Sequence, residues 1–199
     1  MIASRSCDTG VTHHNPFSLA AVMDKYVSLE EYRELLSKRN SVKSPFVLSE
    51  YNGMTLPPGV ADVIDDLKTF EVREDDSWVV TYPKAGTTWV QEIVSAVMHD
   101  GNLEAVNKRH TVFRVPFIEH SIPERVRLLK NLPQTHKLAE EIPSPRVLKS
   151  HLPGQLLPPQ LWEKKPKIVY VIRDPKDVAV SFFYFLKLYH PQRADQTFG

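Results

Sequence analysis

The chain has 199 residues, which suits one domain, and its 42% hydrophobic and 25% charged residues fit a packed globular fold rather than disorder. Its 25 Lys and Arg against 24 Asp and Glu leave a formal charge of +1, which argues against a nucleic-acid-coating protein or a polybasic membrane binder. A lone Cys7 excludes an internal disulfide framework and every zinc motif that needs several thiolates, and it points to a reducing compartment, with the cytosol as the expected location.

Residues 1–16 show no periodicity and read as a tail. The apolar stretch from Phe17 to Met23 is too short for a membrane span, and with Asp8 and Pro16 ahead of it, it reads poorly as a secretory signal. Ser28-Leu29-Glu30-Glu31 has capping-box spacing, and Tyr32, Leu35 and Leu36 continue it as an amphipathic helix ending near Lys38 and Arg39. Residues 1–45 are therefore expected to form an N-terminal extension, a tail plus a helix. From Tyr51 to Pro58 the pattern predicts a short strand and turn, with Pro57-Pro58-Gly59 as its stop.

After Asp76 the signals sharpen. Trp78 to Tyr82 reads as a buried strand, Pro83 to Thr87 as a turn, and Thr88 to His99 as a helix with an apolar stripe of Trp89, Ile93, Val94 and Val97 at helical spacing. Gly101 is placed to end that helix. Arg146 to Lys149 predicts another short strand. Lys167 to Ile172 predicts a buried apolar strand, Arg173 to Lys176 a turn, and Asp177 to His190 a helix. Strand, turn and helix in alternation predict an α/β fold, a P-loop-like parallel sheet flanked by helices, and ligands in such sheets sit off the C-terminal strand ends.

Three turns on that edge carry candidate chemistry. In Lys84-Ala85-Gly86-Thr87-Thr88 a glycine turn, a helix N-terminus, two hydroxyls and an ammonium combine as an anion cradle. The Walker A order is absent because the Lys precedes the only Gly, and an ordinary strand-to-helix turn with an exposed Lys stays open. Lys149-Ser150-His151 puts an imidazole, a general-base candidate, at a strand end, although the chain has 8 His and most have structural or solvated roles. Arg173, with Ser181 in the next helix, has a fork suited to phosphate; the alternative is an ion pair with Asp174 or Asp177. Between these units, Arg114 to His120 is an apolar stretch read as core packing or as the lining of an acceptor pocket.

Taken together, Tyr-Pro-Lys-Ala-Gly-Thr-Thr-Trp at 82–89, Arg-Val-Pro-Phe-Ile-Glu at 114–119, Lys-Ser-His-Leu-Pro at 149–153 and Arg-Asp-Pro-Lys-Asp-Val-Ala-Val-Ser at 173–181 resemble the cytosolic sulfotransferase family in order and spacing. The resemblance covers about Tyr51 to Phe198, so residues 46–199 are expected to be the N-terminal portion of such a domain. It implies transfer of a sulfuryl group from 3′-phosphoadenosine 5′-phosphosulfate (PAPS) to a hydroxyl or amine of a small molecule, with no metal, nucleic acid or membrane involved. It implies that Lys84, Ala85, Gly86, Thr87, Thr88 and Trp89 hold the 5′-phosphosulfate side, with Trp89 on adenine, and that Arg173 and Ser181 hold the 3′-phosphate. It implies His151 as general base, Lys84 and Lys149 as steadying charges, and Phe117, His120 and Phe185 as acceptor lining.

Ala85 and Asp174 depart from the family's usual Ser and Asn. The family fold continues past the position of Gly199, so the resemblance implies a domain incomplete at its C-terminus, a fragment with impaired activity. The family's dimer-forming segment lies in the part beyond, which leaves a homodimer to the full-length protein. Two other readings stand beside the enzyme: a non-catalytic nucleotide-binding remnant, and a P-loop-type kinase, for which Asp174 is the best support.

Overall fold

Short apolar runs rich in β-branched and aromatic residues form the strands, and turn residues separate each from a helix. The computed structural model describes residues 48–57, 59–108, 111–122 and 124–189, together with Glu31 and Glu34. The tail, the stretch 17–23 and residues 190–199 lie outside the described residues. Of the helix expected from Ser28, only Glu31 and Glu34 are described, and both are helical.

The described chain opens with an antiparallel hairpin, β1 (Ser49–Tyr51) and β2 (Met54–Leu56), and α1 (Ala61–Leu67). The expected single strand from Tyr51 is thus a hairpin, because Asn52 and Gly53 both take positive φ and reverse the chain. Then come β3 (Ser77–Thr81), α2 (Thr87–Met98), α3 (Leu103–Asn107), α4 (Thr111–Arg114), α5 (Glu124–Lys130) and α6 (Thr135–Glu140). The last elements are β4 (Val147–Ser150), a 3-10 turn at Gly154–Leu156, α7 (Gln160–Lys164), β5 (Lys167–Val171) and α8 (Pro175–Tyr189).

Strands β4, β3 and β5 form a parallel sheet in the order β4-β3-β5, so the expected P-loop-like α/β arrangement is present. Strand β3 is central, and all five of its residues are buried. Its alternation supplies both faces. Trp78 and Val80 pack with Phe70, Ile64, Leu67, Ile118, Leu148 and Leu161 in the larger core, and Val79 packs with Val115 and Val147 under Val90, Val94 and Met98 of α2. Each fully buried large side chain of this kind contributes roughly 1.5–3 kcal/mol. Phe70 meets Trp78 edge-on at 6.0 Å between ring centroids.

Gly101 closes α2 as expected: its φ is +76° and its N–H returns to the Ala96 carbonyl at 2.9 Å. Two expectations need correction. Of the apolar residues on α2, Val94 faces the sheet, but Trp89, Ile93 and Val97 face outward, and the fully buried positions are Thr87, Gln91 and Ser95. Strand β5, expected to be buried, is exposed along most of its length, with Tyr170 64% exposed, and Ile172 just after it is 80% exposed. Its apolar run is the kind that parallel sheets cover on both faces, but among the described residues it pairs on one side only, with β3.

Candidate functional site

The sheet order decides what meets at its C-terminal edge. Central β3 runs into the loop 82–86, β4 into His151, and β5 into Arg173, so the His and the Arg flank the Lys84 loop from opposite sides. The loop turns sharply: Ala85 N–H bonds the Tyr82 carbonyl at 3.1 Å, and Lys84 and Gly86 have φ of +70° and +113°. A positive φ at Lys84 is uncommon for a side chain with a Cβ and is held here by the turn around it. Gly86 caps α2, and no atom lies within 4 Å of where its Cβ would stand. Gly86 thus stands at the positive end of this twelve-residue helix, where the first N–H groups have no partner within the helix.

On the β5 side, Arg173 donates to the Lys84 carbonyl at 3.4 Å and lies 3.7 Å from Asp177. The ion pair left open in the sequence is therefore present, but both partners are largely exposed, and such pairs are weak. Asp174 accepts from Lys176 N–H at 2.9 Å and Asp177 N–H at 3.4 Å, so this carboxylate caps α8, with Pro175 as first helical residue. The helix thus starts two residues earlier than expected. Ser181 stands nearly two turns in, on the same face as Asp177, about 9 Å along the axis from Pro175. Dipole support fades within the first turn. Phe185, farther along α8, holds Lys84 Nζ over its ring at 4.6 Å. Trp89 is 76% exposed on the first turn of α2. Between β5 and α8 lies a cleft of about 620 Å3, lined in part by Tyr82, Ala85, Tyr170, Arg173, Val178 and Phe182. It touches the Arg173 side of the loop and not His151.

On the β4 side, His151 Nδ1 lies 2.8 Å from the Thr81 carbonyl and 3.1 Å from Thr81 Oγ1. A carbonyl only accepts, so Nδ1 carries the proton and Nε2 keeps its lone pair. Burial, then the Lys149 charge, push the His151 pKa down to about 4, so the ring is neutral at physiological pH. Segment 116–118 pairs beside β4: Lys149 N–H bonds the Pro116 carbonyl at 2.9 Å, and Ile118 N–H bonds the Lys149 carbonyl at 3.1 Å. This pairing sets Phe117 edge-on to His151 at 5.0 Å, stacks His120 on Phe117 at 6.1 Å, and places Lys149 Nζ over the Phe117 ring at 4.2 Å. Burial lowers the Lys149 pKa, and Glu119 partly opposes that.

Two residues that sequence reasoning gave no role belong to this cluster. Thr81 holds the His151 ring and also lies 2.5 Å from Thr87 Oγ1. Glu119 is fully buried and accepts the His151 backbone N–H. Burial raises its pKa to about 7, against the His151 and Glu119 backbone hydrogen bonds, the Ser150 hydroxyl and the Lys149 charge. The available signals were a hydroxyl closing an apolar strand and a carboxylate closing an apolar word. Lys84, Ala85 and Gly86 of the loop and Thr87 and Thr88 at the start of α2 form one group with Arg173 beside it, and Lys149, His151, Phe117 and His120 form a second group joined to it through Thr81. Phe185 falls on the Lys84 side, not with Phe117.

The sulfotransferase-domain profile matches residues 74–199. Human sulfotransferase 1C2 is 41% identical over 143 residues, covering 72% of this chain and 46% of its own length. Sulfotransferase 1A1 of Bos taurus is 40% identical over 136 residues, covering 68% and 44%. This chain therefore spans less than half the length of those relatives. Among solved structures, retinol dehydratase in complex with androsterone and the inactive cofactor PAP superposes with a TM-score of 0.59 at 26% identity, covering 72% of this chain and 50% of that one. Retinol dehydratase with retinol and PAP also gives 0.59, at 25% identity over 82% and 55%.

Proposed function

This chain belongs to the sulfotransferase family, and from that membership we propose that it carries the transfer centre of an enzyme moving a sulfuryl group from PAPS to a hydroxyl or amine of a small molecule. The observation that carries the reading is the meeting of the Lys84 loop, His151 and Arg173 at one sheet edge. We take residues 46–199 as part of the transfer domain and residues 1–45 as an extension. The lone Cys7 favours the cytosol, and no helix among the described residues is long and apolar enough to cross a membrane.

The loop suits a phosphorylated nucleotide. Open space at Gly86, a helix N-terminus, two Thr hydroxyls, an ammonium and a neighbouring guanidinium are what an oxyanion needs. PAPS, when bound, supplies an activated sulfuryl group whose leaving group gains negative charge during transfer. Lys84, Ala85, Gly86, Thr87 and Thr88 would hold the phosphosulfate, the exposed Trp89 the adenine, and Arg173 with Ser181 the 3′-phosphate. Lys84 and Lys149 place fixed positive charge where negative charge grows, a contribution realised mainly in the transition state. His151 is neutral and holds its proton on Nδ1, so Nε2 is the atom that takes the acceptor's proton. Phe117 and His120 give the acceptor an apolar wall on the His151 side, and Phe185 would bound it from the Lys84 side.

The test offers the chain PAPS with radiolabelled sulfur, and separately labelled ATP, each with and without EDTA, against a phenol, an alkanol and an arylamine. Transfer of the sulfur label, unaffected by EDTA, is expected. His151→Ala should lose at least 100-fold in turnover, within the usual range for a removed general base, while still binding PAP. Lys84→Ala should lower turnover as well as donor affinity. Magnesium-dependent phosphate transfer would decide for a kinase, and PAP binding without any transfer for a nucleotide-binding chain.

A further inference from the structure

The two halves of the candidate site are joined by a row of polar atoms running from His151 through Thr81 to Thr87. The Thr81 carbonyl fixes the proton on His151 Nδ1, at 2.8 Å. Thr81 Oγ1, 3.1 Å from the same nitrogen, therefore accepts a second branch of that N–H. Either hydroxyl can donate across the 2.5 Å between Thr81 Oγ1 and Thr87 Oγ1, and the row requires that Thr81 be the donor. This leaves the Thr87 hydrogen for an anion at the start of α2. Thr81 and Thr87 are 1% and 7% exposed, so water competes little for these bonds. Both positions follow from the fold: Thr81 ends central β3 and Thr87 begins α2, six residues on across the tight loop.

We propose that Thr81 is a positioning residue whose hydroxyl couples the His151 imidazole to the anion held by the loop at Thr87. The proposal rests on the reading above, in which Thr87 holds donor phosphate. Hydrogen-bonded chains polarise one another in a low-dielectric interior. An anion that accepts from Thr87 makes its oxygen a stronger acceptor for the Thr81 hydroxyl. That makes the Thr81 oxygen a stronger acceptor for Nδ1–H, and electron density moves toward Nε2. His151 then gains basicity when the loop is loaded, and protonation of His151 tightens anion binding by the same factor. The other groups against His151 are Lys149 on its own strand, Glu119 on its backbone N–H and the Phe117 ring. None of them lies in the row, so they set the resting basicity and not the coupling.

Nitrogen NMR on the full chain with isotope-labelled histidine reads this directly, with the His151 Nδ1 signal identified by its loss in His151→Ala. Thr87→Val is made in wild type, in Thr81→Val and in Thr81→Ser, and each form is titrated with PAP. The expected result is a displacement of the Nδ1 signal by Thr87→Val in wild type and in Thr81→Ser, and its loss in Thr81→Val. PAP should show the same pattern while still binding Thr81→Val. Thr81→Ala takes the place of the valine variant if that one does not fold. Equal displacements with and without the Thr81 hydroxyl overturn the proposal. Absence of PAP binding in every form contradicts the donor assignment instead, and the ligand-free variants then decide the coupling alone.

Discussion

Glu119 accepts the His151 backbone N–H, and the two side chains titrate in opposite senses. Burial raises the Glu119 pKa to about 7, so the folded protein binds a proton there that the unfolded chain, near 4.5, has lost. Its contribution to stability is present below pH 4.5 and fades as pH rises toward 7. His151 works the other way. Its folded pKa of about 4 lies below the ordinary imidazole value of 6.5, so its contribution is present above pH 6.5 and is lost as pH falls toward 4. Glu119→Gln keeps an acceptor for the His151 N–H and removes the ionisation. Its unfolding free energy relative to wild type should therefore rise between pH 4.5 and 7, by an amount on the order of 3 kcal/mol. Denaturant titrations of both proteins across that range measure it; a difference that stays flat with pH would mean that Glu119 is not held protonated by the fold.

At the scale of elements, β4 is tied to the start of β3 by a buried guanidinium. Arg146 donates to Asp76 through Nε at 2.7 Å and a terminal nitrogen at 3.1 Å, and also to the Ala139 and Glu71 carbonyls. Both charged side chains are fully buried. Removing one partner leaves the other charge without its mate, at a cost of about 3–5 kcal/mol. Arg146→Ala should thus lower stability by that amount in a denaturant titration, while Arg146→Met with Asp76→Leu costs markedly less. Equal losses in the two would contradict an isolated-charge penalty. The three strands, α2 and α8 were legible in the sequence because short apolar runs and tight turns are local signals. The facing of α2 was not. Trp89, Ile93 and Val97 repeat at helical spacing, but spacing tells that a stripe exists and not what covers it. In the fold Val90, Val94 and Met98 face the sheet instead, and Gln91 and Ser95 are buried. The strand ends of the site were readable for the same local reason. The Thr81–Thr87 contact was not, since it depends on the exact turn of the loop between them, nor was Glu119–His151, which joins residues 32 positions apart.

Across the whole molecule, sheet order matters more than any single residue. Because β3 lies between β4 and β5, one loop is reached from both flanks, by an imidazole on one side and a guanidinium on the other. The proposed function uses the two flanks differently: the Lys84 loop and Arg173 would hold the nucleotide's phosphates, and His151 would face the acceptor. The same order leaves the apolar face of β5 and the inner side of α8 around an open cleft. Calorimetric titration of the chain with PAP, beside Lys84→Ala and Arg173→Ala, tests the central claim most directly. One-to-one binding is predicted, weakened about tenfold or more by each substitution, as expected for a lost charge-assisted contact. PAP binding that neither substitution changes, or only one does, would mean that Lys84 and Arg173 do not grip one ligand.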